Sequence, residues 1–138
     1  MQTKLIPVIT KGYTSKFFTI DISEEEVAEH PHIRISCNSN AVFALELDDD
    51  GLNCLGIIKG DYLLFTQLAP LRATGQICLI HNEDEHIIRE AHWSGDTTIL
   101  RVPGDIYEPI EIPTENIRIM AVLDNVIKPY YGIDIINF

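Results

Sequence analysis

The chain has 138 residues, of which 46% are apolar, and it carries a formal net charge of -11 at pH 7. This length and composition predict a compact protein that can bury a hydrophobic core of its own. The acidic charge argues against direct binding of nucleic acid, because contacts to a phosphate backbone rely on lysine and arginine. We expect no signal peptide and no membrane anchor, because no apolar stretch approaches the ~20 residues that a spanning helix needs.

The first 40 residues are predicted to form an N-terminal arm. Its apolar runs indicate short strands at residues 5–9 and 17–20. Residues 23–30 fit one or two helical turns, with a serine in the N-cap position and a glutamate three residues later, and Pro31 ends the segment.

The chain contains three cysteines, Cys37, Cys54 and Cys78, and no Cys-x-x-Cys pair. An odd number without that spacing favours reduced thiols over a disulfide framework or a zinc site. We therefore predict a cytoplasmic protein that binds no cofactor and no metal.

Residues 41–129 read as a β-rich domain. Strands are predicted at residues 41–47, 62–66, 75–81, 86–92, 97–102, 110–112 and 117–122. The third and fourth of these flank a polar turn and are expected to form a hairpin. The sequence thus predicts a mainly β fold of short strands and hairpins with little helix. The tail at residues 130–138 is apolar, whereas free tails are normally polar, so we expect it to be tied down on its own domain or across a subunit interface.

The most informative segment is residues 45–61, which read LELDDDGLNCLGIIKGD. It resembles the active-site segment of the LexA/UmuD family of self-cleaving serine peptidases, apolar-x-V-S-G-x-S-M-x-x-x-G-I-x-x-G-D. The residues that match the end of this motif are Gly56, Ile57, Gly60 and Asp61. The resemblance implies a complex β fold like that of the LexA/UmuD C-terminal domain.

The two catalytic positions of that family carry other residues in this chain. Counting back from Asp61 without a gap, the nucleophilic serine position is Gly51. Counted from Gly75, which opens the hairpin strand, the catalytic lysine position is Arg89. Counted from Asp61 it is Ile88, and one extra residue in the intervening loop reconciles the two counts.

Later segments follow the family pattern in order. Residues 100–103 and 107–110 resemble the segment L-x-P-x-N-x-x-y-x-P-I, with Asp105 nearest to the expected asparagine. Residues 117–128 resemble the closing strand. The resemblance covers about residues 41–129.

The substitutions predict that the peptidase chemistry is absent. Glycine has no side chain with which to attack a peptide bond. A lysine base must be neutral to accept the proton of the serine, whereas arginine stays protonated in proteins and isoleucine cannot accept a proton. By resemblance, we expect a non-catalytic protein that forms a homodimer and binds a protein or peptide partner, in the SOS response, in phage-repressor and transcriptional regulation, or beside a translesion polymerase. The family dimerises through its C-terminal region, which favours an interface role for the tail.

An alternative is a hydrolase or self-cleaving protein with a replacement nucleophile. Cys54 lies three residues after Gly51, and His81, His86 or His92 could approach it in space to form thiolate. The other interpretation is that Cys54 is a small buried apolar residue.

The family's cleavage site has a weaker counterpart in the arm. Residues 8–12 resemble the apolar run that ends in the cleaved Gly, so the matching bond is Lys11–Gly12. Lys11 stands where the family has a small residue. The alternative is an ordinary turn between two strands.

Three polar features have a chemical and a structural interpretation. Glu46, Asp48, Asp50 and Gly51 follow calcium-loop spacing, but Ile57 stands where a bidentate glutamate is required, which favours a solvated acidic turn. The histidines, His30 with His32 and His81, His86 and His92, could bind a metal, but spacings this loose favour surface histidines. The acidic residues Glu83, Asp84 and Glu85 beside His86 are expected to form a solvated turn. The net charge itself favours either solubility or a partner with a basic surface.

Overall fold

A computed structural model describes residues 2–9, 31–47, 52–66, 73–82, 85–104, 108–129 and 135–136. The predicted strand at 17–20 and helical turns at 23–30 lie outside the described residues. So do the Lys11–Gly12 bond and Gly51.

The described residues form a mainly β structure with two one-turn 3-10 helices, at Asn53–Leu55 and Thr114–Asn116. Its strands are β1 Thr3–Ile9, β2 His32–Ser36, β3 Phe43–Glu46, β4 Tyr62–Thr66, β5 Thr74–Asn82, β6 Glu85–Ser94, β7 Thr97–Arg101, β8 Ile110–Pro113, β9 Ile117–Ile127 and β10 Ile135–Ile136. The predicted fold class and eight of these strands are confirmed. The sequence reading missed β2 and β10, and it ended β9 five residues too early.

The chain divides into two compact units. The first comprises Met1–Asp48, Lys59–Thr66 and Asp124–Phe138, and the second comprises Asp49–Ile58 and Gln67–Leu123. The division into an arm at 1–40, a domain at 41–129 and a tail at 130–138 stays a prediction.

In the first unit, the strands lie in the order β10-β2-β1-β3-β4. The β1–β3 pair is parallel and the other pairs are antiparallel. Alternation along β2 buries Ile33 and Ile35 and exposes Arg34, as expected of a strand with one face in a core. Phe43 and Phe65 are fully buried, and their rings stack with centroids 5.5 Å apart.

The C-terminal tail pairs with the first unit. Ile135 lies opposite Ile33 and Ile136 opposite His32, in antiparallel register. The described part of the tail therefore extends the chain's own sheet, which is the first of the two arrangements that its apolar sequence allowed.

In the second unit, the strands lie in the order β9-β5-β6-β7-β8, and the described pairs are antiparallel. Its core contains Ala73, Cys78, Ile80, Ala91 and Leu100. The predicted β5–β6 hairpin is confirmed, and its register runs from Thr74 opposite His92 to Asn82 opposite Glu85.

Gly75 marks an irregularity at the start of this hairpin. The register shifts between Thr74 and Gln76, and Gly75 has a φ of 101°. A Cβ atom here would lie 3.1 Å from Cε1 of His92, so the backbone conformation favours glycine and a larger residue would also push the ring aside. Among the helices in the described ranges, none is long and apolar enough to cross a membrane.

Candidate functional site

The segment after the nucleophile position is anchored by its apolar side chains. Leu52 is completely buried, and Ile57 is 8% exposed. Between them lies the one-turn helix Asn53–Leu55, which ends at Gly56 in the left-handed region with a φ of 76°. The amide of Gly56 donates to the carbonyl of Asn53 at 2.9 Å, which closes the turn. Gly51 itself lies outside the described residues.

Arg89 lies on β6, directly opposite Cys78 on β5. Because side chains alternate along a strand, Arg89 shares its face with the buried Ala91, whereas Ile88 points to the other face with Leu79. The half-buried guanidinium donates from Nη1 to the carbonyl oxygen of Ile88 at 2.7 Å. The lysine position, when counted from Gly75, thus holds an arginine whose guanidinium is hydrogen-bonded to the carbonyl of the preceding residue.

The cysteines differ in their surroundings. Cys54 is exposed, so the buried interpretation is wrong for this residue, and Cys37 is exposed as well. Among the residues that the structure describes, none forms a hydrogen bond or an ion pair with the thiol of Cys54. Cys78 is buried, and desolvation raises its pKa to about 12, so this thiol stays protonated at neutral pH.

The histidines of the second unit do not form one group. The rings of His81 and His86 stack across the hairpin with centroids 4.8 Å apart. His92 lies six residues beyond His86 on the same strand, ~20 Å away, and its Nε2 is 2.6 Å from Oε1 of Glu90. His32 belongs to the first unit, and His30 lies outside the described residues. In the parts of the chain that the structure describes, no group of three or more His, Cys, Asp or Glu side chains could hold a metal ion.

The last residue of the matched motif, Asp61, is 1% exposed. Its carboxylate accepts a hydrogen bond from the ammonium group of Lys128, which follows β9, and the two groups form an ion pair. Its carbonyl accepts from the amide of Leu47 at 2.8 Å, and the amide of Gly60 donates to the carbonyl of Leu47 at 3.0 Å. Gly60 has a φ of 93°, which favours glycine. The Gly-Asp pair therefore joins the ends of β3 and β4.

Sequence reasoning missed Lys128 as a partner of this motif. Its only signal was a single basic residue directly after the long apolar strand β9, 67 positions away from Asp61. A pairing at that separation depends on the sheet, so no local pattern predicts it.

The acidic segment that resembles a calcium loop is described only in part. Glu46 ends β3 and is exposed, and Ile57 is buried where the loop would need a carboxylate. Asp48 and Asp50 lie outside the described residues.

Comparison with known proteins gives one family of relatives. No family model matches the chain. It is 26% identical over 110 residues to a LexA repressor of Shewanella loihica, which covers 78% of the chain and 53% of the relative. It is 26% identical over 96 residues to a LexA repressor of Shewanella pealeana, covering 69% of the chain and 46% of the relative. The chain spans about half the length of these curated relatives, and the similarity supports a LexA-like family.

The buried ion pair leads to a stability prediction. Lys128→Met leaves the carboxylate of Asp61 buried without its cation, so we expect the free energy of unfolding to fall by about 3 kcal/mol. Urea unfolding followed by circular dichroism measures the change.

The matched controls are the single variant Asp61→Asn and the double variant Asp61→Asn, Lys128→Met. The double variant carries neither charge of this pair, so it should lose less stability than the sum of the two single variants. Additive losses would show that the two groups do not interact.

Proposed function

We propose that this protein is a non-catalytic LexA/UmuD-like protein that acts as a dimerisation and protein-interaction module. The observation that carries the proposal is the pair of residues at the catalytic positions. Gly51 offers no nucleophile, and Arg89 offers a guanidinium bonded to the Ile88 carbonyl instead of a neutral amine. A guanidinium stays protonated, so it cannot take a proton from a hydroxyl group.

Exposed apolar side chains support an interaction role. The large hydrophobic residues that are exposed in the described ranges are Leu5, Leu55, Ile58, Trp93 and Ile110. All except Leu5 belong to the second unit, which also carries Arg89. Leu55 and Ile58 lie four and seven residues after Gly51 and are 51% and 48% exposed. A partner that covers Leu55 and Ile58 would remove their apolar surface from water, which favours binding.

The partner that we propose is a protein or peptide. A strand added to the edge of the sheet would gain main-chain hydrogen bonds, and the exposed apolar groups would contact its side chains. The net charge of -11 disfavours nucleic acid as the direct ligand. The relatives are named LexA repressors, so we propose that the protein acts in SOS, phage-repressor or translesion-polymerase regulation.

A second candidate function is self-cleavage or hydrolysis by Cys54. Its exposure favours access by a substrate. The thiol would need a base or cation to form thiolate.

Intact mass spectrometry after long incubation at mildly alkaline pH distinguishes the two functions. We expect one uncut species, because position 51 lacks a nucleophile and the Cys78 thiol, with its pKa of about 12, stays protonated. Cys54→Ala is the control. A clean cut at Lys11–Gly12 that this substitution abolishes would instead establish Cys54 as the nucleophile.

Restoring both catalytic side chains tests the alignment. In the double variant Gly51→Ser, Arg89→Lys we expect the hydroxyl oxygen and the amine to lie within ~3.2 Å in a crystal structure. Desolvation beside the buried Cys78 and Ala91 should lower the pKa of the new lysine and activate the serine towards a fluorophosphonate probe. The two single variants are the controls and should not react. Side chains that lie far apart would contradict the alignment.

Dimerisation and partner binding can be tested on the same samples. Sedimentation is expected to give twice the 15.6 kDa mass of one chain.

Affinity capture from lysate, with and without DNA damage, should retain a repressor, a recombinase filament or a translesion polymerase. A bait with Leu55→Glu and Ile58→Glu should lose that partner and keep the dimer mass, whereas Leu5→Glu in the first unit should keep both. A monomer that retains no such partner would contradict the proposal.

A further inference from the structure

The tip of the β5–β6 hairpin carries two histidines directly opposite each other. His81 and His86 are in register, both are half-buried, and their rings are 12° from parallel. We propose that His81 and His86 form a two-imidazole site for a divalent transition-metal ion. This site is separate from the catalytic positions, so it does not depend on the proposed function.

The strand geometry brings the two rings within reach of one ion. Residues directly opposite in an antiparallel pair have Cβ atoms ~5 Å apart and point to the same face. The ring centroids are 4.8 Å apart, and an ion held by two imidazoles lies ~2 Å from each nitrogen. Rotation about the broad second side-chain torsion turns the stacked rings so that one nitrogen of each faces the ion.

The backbone of the hairpin is already ordered for such a site. The neighbouring register pairs, Ile80 with Ile87 and Asn82 with Glu85, hold the two strands on either side of the histidines. Binding therefore orders two side chains and requires no new backbone structure, which lowers its entropic cost.

The donor type selects the class of ion. Imidazole nitrogen suits Zn²⁺, Ni²⁺ and Cu²⁺, whereas Mg²⁺ and Ca²⁺ prefer oxygen ligands. Two protein donors leave the remaining coordination positions to water. The net charge of -11 favours a cation in general.

The surroundings of the histidine pair include buried apolar side chains on the same face and an exposed arginine on the neighbouring strand. On the same face, the adjacent pair Leu79 and Ile88 is buried. Arg118 on β9 lies opposite His81 and is exposed. Its positive charge opposes the binding of a cation, and protons compete for the imidazoles at acid pH.

Isothermal titration of the full chain with zinc chloride near pH 7.5 tests the site. We expect one ion per chain, and His81→Gln and His86→Gln should each weaken binding at least about tenfold. His92→Gln is the matched control, because it removes a histidine of the same strand that lies ~20 Å from the pair. Arg118→Gln should strengthen binding about twofold, because it removes an exposed like charge.

Two results would overturn the site. The first is zinc affinity that stays unchanged in both pair variants. The second is Mg²⁺ binding as strong as Zn²⁺ binding, which would assign the ion to carboxylates alone. If the variants fail to fold, Cu²⁺-induced broadening of amide resonances in the wild-type chain decides: broadening centred on residues 80–87 supports the site, and broadening centred elsewhere overturns it.

Discussion

The register of the β5–β6 hairpin determines the surroundings of most candidate residues in the second unit. It places Arg89 opposite the buried Cys78, His81 opposite His86, and His92 at the far end beside Gly75. A slip of one residue would exchange the two faces of a strand, which would move Arg89 to the face of the buried Leu79 and Ile88 to the face of the buried Cys78. Because such a slip would place the charged arginine among the buried side chains of Leu79 and its neighbours, it would be costly, so the register is strongly specified.

That register also explains how an arginine is tolerated at a half-buried position beside the core. Its guanidinium reaches the Ile88 carbonyl on its own strand and so keeps a hydrogen bond. The long aliphatic stem can then lie along the face that carries Ala91 while the charged head stays at its margin. A lysine that acts as a base would need the opposite arrangement, with its amine desolvated and uncharged. The same backbone position can thus carry an arginine or a lysine, and the identity of the side chain determines whether it can act as a base.

Local patterns predicted the features that depend on neighbouring residues. Alternating apolar residues and Gly75 located the β5–β6 hairpin, and the run 62–66 gave β4 with its observed bounds. The pattern His-Ile-Arg-Ile-Ser of β2 also alternates, but its two charged or ionisable residues, His32 and Arg34, concealed it. The partners of the tail and of Asp61 could not be predicted, because both contacts join residues far apart in the sequence. The candidate positions Gly51 and Arg89 stay a prediction from the motif, whereas the bond from Arg89 to the Ile88 carbonyl required coordinates.

The end of the motif that this chain matches has a structural role. Gly60 adopts a left-handed backbone conformation, and Asp61 is buried against Lys128 while its backbone closes the β3–β4 connection. Replacing Gly60 would strain the turn, and replacing Asp61 would break a buried ion pair, so each change would destabilise the fold whether or not the protein cleaves anything. A nucleophile, in contrast, contributes to chemistry and little to folding. A chain that keeps this fold and no longer needs the reaction would therefore retain Gly-Asp and tolerate glycine at position 51.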